Sequence, residues 1–242
     1  MMTETRTKSG SLFKSLIKAM LRFVGLEVSV AERSPLATKY FGTGDLTPFE
    51  ENSRELYDQF YSDEEVLDDY YQGCRLDFYT AVIEKLNGSV DLDQKNILDN
   101  GCGVGFLLAE VSKKYNPSSL SGADFSEEAM KASRKRFPSM NFFQHDANDP
   151  LTDKYDVIFC TEVIEHLEKP FIAVQNMLGA LNPGGALVLS VPDGRTDTSN
   201  EHINFWSPES WKMFLERECP NYAVKTSRLS DKMNYLYATI TL

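Results

Sequence analysis

A chain of 242 residues with 42% hydrophobic and 12% aromatic content has the composition of one large globular domain, or of one domain with a short extension. Its formal charge of -11 is concentrated between Phe41 and Tyr71, where Arg54 is the one basic residue, and such a surface argues against wrapping an extended nucleic acid. No apolar run of about 18 residues is present to span a bilayer, and Cys74, Cys102, Cys160 and Cys219 lack C-x-x-C spacing, so reduced thiols in a cytoplasmic protein are expected.

In chain order, residues 1–10 are polar and are expected to be disordered. From Ser11 to Val24, Leu12, Phe13, Leu16, Ile17, Met20, Leu21 and Val24 recur at helical spacing, with Lys14, Lys18 and Arg22 on another face. This amphipathic helix has two readings: peripheral contact with an anionic membrane surface, or packing of its apolar stripe on the protein or a partner. Glu27 to Pro48 is irregular, broken by Ser34-Pro35 and Gly42-Thr43-Gly44. Two helices follow, Glu50–Tyr61 and Glu64–Leu86. Their aromatic residues, among them Tyr57, Tyr61, Tyr70, Tyr71 and Tyr79, can line a pocket or bury the helices against a sheet, and their acidic residues read as a solvated face. Asn87-Gly88 is a turn, which divides an N-terminal helical extension and lid (1–90) from a main domain (91–242).

Within 91–242 the alternation is regular. Strands are predicted at Asn96–Asn100, Leu120–Asp124, Asn141–Gln144, Tyr155–Cys160, Ala186–Val191, Ala223–Arg228 and Tyr235–Thr241. Helices are predicted at Val104–Tyr115, Ser126–Phe137, Phe171–Leu181 and Pro208–Glu218. This is an α/β pattern: a doubly wound, mostly parallel seven-stranded sheet covered on both faces. The last two strands are separated by too few residues for a parallel crossover, so the final strand is antiparallel.

The stretch Asn96-Ile97-Leu98-Asp99-Asn100-Gly101-Cys102-Gly103-Val104-Gly105-Phe106 organises the domain. A short strand closed by a carboxylate runs into three glycines and then a helix, which brings backbone N–H groups and a surface without Cβ atoms to one place. A dinucleotide fingerprint needs its third glycine at position 106, which is Phe, and this argues against a nicotinamide oxidoreductase. The pattern, with the later motifs and the antiparallel ending, resembles the class I S-adenosylmethionine-dependent methyltransferases. The resemblance covers roughly Asp91 to Leu242. It implies that Asp99, Gly101, Gly103 and Gly105 bind S-adenosylmethionine, and that Asp124, with Phe125 beside it, receives the ribose hydroxyls. It further implies that Asp146 and Ala147 meet the adenine, and that Thr161 lies near the methionine portion. Asn182-Pro183-Gly184-Gly185 is expected to be a structural turn.

Methyl transfer needs an aligned acceptor and a way to remove or neutralise its proton. Thr161-Glu162-Val163-Ile164-Glu165-His166 supplies the densest set of suitable groups. On a helical turn, Glu162, Glu165 and His166 share one face, and His202 is a further imidazole. The segment resembles that of ubiquinone-pathway O-methyltransferases, and also the metal site of small-RNA 3′-terminal 2′-O-methyltransferases. Two readings stay open: His166, with Glu165, as catalytic acid–base groups, or Glu162, Glu165, His166 and His202 as ligands of Mg²⁺, Mn²⁺ or Zn²⁺. The expected function is O-methylation of a small-molecule acceptor, quinone-like, lipid-linked or sugar. The alternatives are a metal-dependent RNA 3′-end methyltransferase and a non-catalytic cofactor-binding protein. Arg75 is a candidate for reaching the cofactor carboxylate.

Overall fold

The computed structural model describes residues 36–242, except positions 43 and 87. The amphipathic stretch at 11–24 lies outside the described residues. Side chains alternate between the two faces of a strand. In β1 (Asn96–Asn100), Ile97 packs into one hydrophobic cluster and Leu98 into another. β4 (Tyr155–Thr161) does the same, with Val157 and Phe159 on the first side and Ile158 and Cys160 on the second. Strands apolar on both faces require cover on both.

The first face is covered by α1 to α6. These are α1 (Pro48–Glu51), α2 (Arg54–Ser62), α3 (Glu64–Tyr70), α4 (Cys74–Lys85), α5 (Phe106–Lys114) and α6 (Glu127–Arg136), of which α2 to α6 supply buried apolar side chains. The second face is covered by α7 (Pro170–Gly179) and α8 (Pro208–Glu218). The remaining strands are β2 (Ser119–Asp124), β3 (Asn141–Gln144), β5 (Leu181–Pro192), β6 (Ala223–Ser230) and β7 (Met233–Thr241). The seven strands lie in the order β3-β2-β1-β4-β5-β7-β6. Pairing is parallel from β3 through β5, and β7 runs antiparallel to both of its neighbours, as the short β6–β7 connection requires. The topology reverses between β1 and β4, so a crevice opens beyond their carboxyl ends.

Three expected elements differ. The helix expected over Glu50–Tyr61 is two helices, because the Ser53 hydroxyl accepts the Leu56 N–H at 3.4 Å and starts α2 afresh. The helix expected over Glu64–Leu86 is also two, divided at Gly73, whose φ of 50° is open to glycine and strained for other residues. Asn182 to Gly185 turns within β5 rather than before it, interrupting its pairing with β4: Tyr155 pairs with Leu181, and the next partner of β4, Val157, pairs with Ala186.

The acidic helices keep Glu64 and Asp68 exposed, as expected of a solvated face, while also meeting a neighbouring helix. Asp58 on α2 meets the start of α6, accepting the Glu128 N–H at 3.4 Å. At the other end of α6, Lys135 pairs with Glu64 at 2.6 Å and Arg136 with Asp68 at 3.2 Å. A carboxylate at a helix N-terminus and carboxylates beside its basic last turn both suit the helix dipole and its charges. The helical lid is thereby laid along α6.

Candidate active site

The glycine loop leaves β1 at Gly101 and enters α5 after Gly105, with φ of 90° at Gly101, 51° at Gly103 and 85° at Gly105. A Cβ on Gly101 would stand 2.2 Å from Val163 Cγ2, so the loop and the segment after β4 are in direct contact. Gly103 faces the lid: a Cβ there would lie 3.0 Å from the Tyr61 hydroxyl and nearer still to that of Tyr71. Much of the loop's own hydrogen-bonding capacity is already used. The N–H groups of Gly101 and Cys102 donate to the Ala123 carbonyl at 2.7 and 2.9 Å, that of Gly103 to Asp124 Oδ2 at 2.9 Å, and that of Gly105 to the Cys102 carbonyl at 2.9 Å. At Gly101, Gly103 and Gly105 the loop therefore offers close approach rather than spare donors.

Two buried carboxylates flank the loop. Asp99 ends β1 with Oδ1 unpartnered, and burial, reinforced by the charge of Asp124, pushes its pKa up to about 8. Asp124 ends β2. Burial pushes its pKa up to about 6, held there by the N–H groups of Ser126 (3.0 Å) and Gly103. A carboxylate has roughly four acceptor positions, so these two bonds leave Asp124 room for a pair of ligand hydroxyls. Phe125 follows, and the Tyr57 ring stands edge-on to it at 5.1 Å and to His166 at 6.4 Å. Tyr57 thus bridges the carboxylate side of the crevice to the histidine side. At the end of β3, Asp146 Oδ1 accepts the backbone and side-chain N–H groups of Asn148, and Ala147 is buried. Thr161 closes β4 opposite Ser190.

On the histidine side the expected helical turn does not form. Glu162 adopts φ of 58°, and only Ile164–His166 make a 3₁₀ turn, so Glu162 leaves the face shared by its neighbours. Its carboxylate accepts from the Ser190 hydroxyl at 3.4 Å. Burial pushes its pKa up to about 7, opposed by the charges of Arg75 and His202. Glu165, His166 and His202 do come together, each with a ligand-type atom within 4.8 Å of the others, and the two imidazole rings are 4.6 Å apart. Glu165 is fully buried with neither carboxylate oxygen partnered, and burial followed by the charge of Glu162 pushes its pKa well up. The turn is tied to the 197–206 loop: the N–H groups of Ile203 and Asn204 donate to the Glu165 carbonyl at 3.0 Å.

Several shaping residues carry no local sequence signal. Asn52 Oδ1 lies 2.9 Å from His166 Nδ1, and Asp197 Oδ2 is hydrogen-bonded to His202 Nδ1. Both partners sit in irregular stretches, and only the folded chain identifies them. Arg75 is held by the Tyr70 hydroxyl, with its guanidinium 4.7 Å from the Tyr70 ring centre, and has Glu162 among its charged neighbours.

Residues 71–222 match a family described as a methyltransferase domain. Trans-aconitate 2-methyltransferase of Rhodopseudomonas palustris is 28% identical over 109 residues, 45% of this chain and 43% of that relative. The mitochondrial ubiquinone biosynthesis O-methyltransferase of Schizosaccharomyces pombe is 32% identical over 124 residues, 48% of this chain and 43% of the relative. The matched segment is thus less than half the length of either relative. Among solved structures, magnesium protoporphyrin IX methyltransferase from Synechocystis with bound S-adenosylmethionine shares the fold, with a TM-score of 0.61 at 16% identity over 81% of this chain and 97% of that one.

Proposed function

The chain belongs to the class I S-adenosylmethionine-dependent methyltransferase family, and on that premise we propose that it transfers the donor's methyl group to an oxygen of a small-molecule acceptor, with His166 taking the acceptor's proton. One observation carries the reading: Val163 packs against Gly101 of the glycine loop, and the buried, unpartnered Glu165 and His166 follow it two and three residues later. The cofactor supplies an electrophilic methyl on a sulfonium, so the protein's task is alignment and proton removal.

The described residues fit that cofactor. Asp124 retains acceptor capacity for two ribose hydroxyls, and Asp99 Oδ1 has no partner inside the protein. Asp99 would accept from the cofactor's ammonium, which would hold it ionised. Tyr61 and Tyr71 close over Gly103 and would shield the loop side of the crevice from water. His166 would receive the proton of a hydroxyl acceptor, or orient a carboxylate acceptor, which has no proton to lose at neutral pH.

The convergence of Glu165, His166 and His202 favours a second reading in which the same three residues hold a divalent ion. Two imidazoles and one carboxylate suit Zn²⁺ or Mn²⁺ better than the oxygen-seeking Mg²⁺. Such an ion would lower the pKa of a bound hydroxyl. Asn52 and Asp197, on the Nδ1 atoms, would orient the two rings as outer partners.

Calorimetric titration of chelator-treated protein with S-adenosylhomocysteine, then with Zn²⁺, Mn²⁺ and Mg²⁺, tests both readings. It is paired with a screen for labelled methyl groups on small hydroxy and carboxy acids. We expect cofactor binding, and methylation that falls roughly 100-fold or more in His166→Ala. No cofactor binding would overturn the main reading. Metal binding that vanishes in His202→Ala would select the second.

A further inference from the structure

Asn52 joins three segments that are far apart in the chain. From the end of α1, its Nδ2 donates to the carbonyl of Pro48, the first residue of that helix, at 2.9 Å and to the Glu201 carbonyl at 2.6 Å, in the loop that carries His202. Its Oδ1 faces His166 Nδ1 at 2.9 Å. The orientation of the amide follows from these partners, because both carbonyls can only accept and so require the NH₂ end. The oxygen that remains can only accept, so the His166 nitrogen opposite it must carry the proton. A neutral His166 is then the Nδ1–H tautomer, with its lone pair on Nε2, the nitrogen 3.9 Å from Glu165 Oε1.

We propose that Asn52 is a positioning residue that fixes the tautomer of His166, and that it does so through the docking of the 48–52 segment onto the loop at 197–202. The docking has a second tie beside Asn52. Glu51 is fully buried, accepts the Gly42 N–H at 3.1 Å, and takes the side-chain amide of Asn200 at 3.0 Å. The same lid that covers the glycine loop therefore prepares the nitrogen on the histidine side. An undocked lid removes the acceptor that holds the proton on Nδ1. This inference rests on the reading of His166 as the group that meets the acceptor, but the tautomer is a property of the protein alone and is measured without acceptor.

The chain has three histidines, which makes the imidazole ¹⁵N spectrum assignable by His145→Gln, His166→Gln and His202→Gln. The measurement is made on full-length, chelator-treated protein at a pH where the rings are neutral. We expect a pyrrole-type Nδ1 and a pyridine-type Nε2 for His166. Asn52→Leu should lose that pattern, with both nitrogens moving to averaged positions. Asn52→Asp also loses both donors and sets a carboxylate oxygen against the Pro48 and Glu201 carbonyls, so the segment should undock and the pattern should be lost there too. An Nε2–H tautomer in the wild type, or an unchanged pattern in either variant, would overturn the assignment. If the tautomer is as stated and no methyl transfer is found, the proposed activity fails and this inference stands.

Discussion

The glycine side of the crevice is assembled from neighbours: Gly101 to Gly105 follow β1, Asp124 ends the adjacent parallel strand β2, and the two bond directly to one another. The histidine side draws Asn52, Glu165, His166, Asp197 and His202 from three separated segments. The first side is sterically tight, so that a single Cβ would collide with a neighbour. The second is polar and only partly satisfied, with Glu165 buried and lacking a partner. A locally encoded half, proposed to receive the cofactor, therefore coexists with a half built by long-range contacts, where the proposed acceptor chemistry would be decided.

The largest effect should come from breaking the tight side. Gly101→Ala meets both a left-handed backbone and the Val163 methyls, and should cost about 2–5 kcal/mol of stability. Val163→Ala placed in the same chain should recover the collision part but not the backbone part, which a double-mutant cycle of urea midpoints resolves. Full additivity would show that the loop and the segment after β4 do not touch.

The next effect is a pH slope. Asp99 moves from an ordinary 3.8 to about 8 on folding, so the folded chain holds that proton more tightly than the unfolded one. Its contribution to stability is complete below the unfolded pKa and fades as pH rises through the folded one. Between about pH 5 and pH 8 the chain should lose on the order of 2–4 kcal/mol from this group. Asp99→Asn should flatten that slope, read from denaturant midpoints. Saturating S-adenosylhomocysteine should flatten it as well if its ammonium meets Asp99, with proton release measurable by calorimetry in buffers of different ionisation heat.

Asp124→Ala should weaken S-adenosylhomocysteine by roughly 10- to 100-fold, the scale of losing hydrogen bonds to a charged acceptor. Unchanged affinity would remove Asp124 from the cofactor side altogether.

The difference between the two halves also explains what was legible in the sequence. β1, the glycine turn and Asp124 are written in consecutive residues, where apolar alternation and positive φ leave local marks. The breaks at Ser53 and Gly73 left marks too, a capping residue and a glycine, but the apolar spacing ran through them and suggested continuous helices. Glu162 was misplaced for a tertiary reason: its positive φ is imposed by pairing of its N–H with the Ser190 carbonyl and by the Ser190 hydroxyl, not by its neighbours in the chain. Asn52 and Asp197 acquire their roles only when the lid and the 197–206 loop meet the 3₁₀ turn, so no spacing rule reaches them.

The smallest effect is expected at Glu165, and it sharpens the comparison most. Burial without a hydrogen-bond partner, beside the charge of Glu162, pushes the Glu165 pKa well up and so favours its neutral form. Glu165→Gln replaces one neutral group by another of the same shape, so chelator-treated protein should change by less than about 1 kcal/mol in urea unfolding. A metal reverses this insensitivity: an ion bound through Glu165 needs the ionised carboxylate, and Gln would cost most of the metal-induced rise in stability. A loss of several kcal/mol without metal would instead mean that Glu165 is ionised and paired in the folded chain. The histidine side would then be as internally satisfied as the glycine side, and the contrast between them would fall.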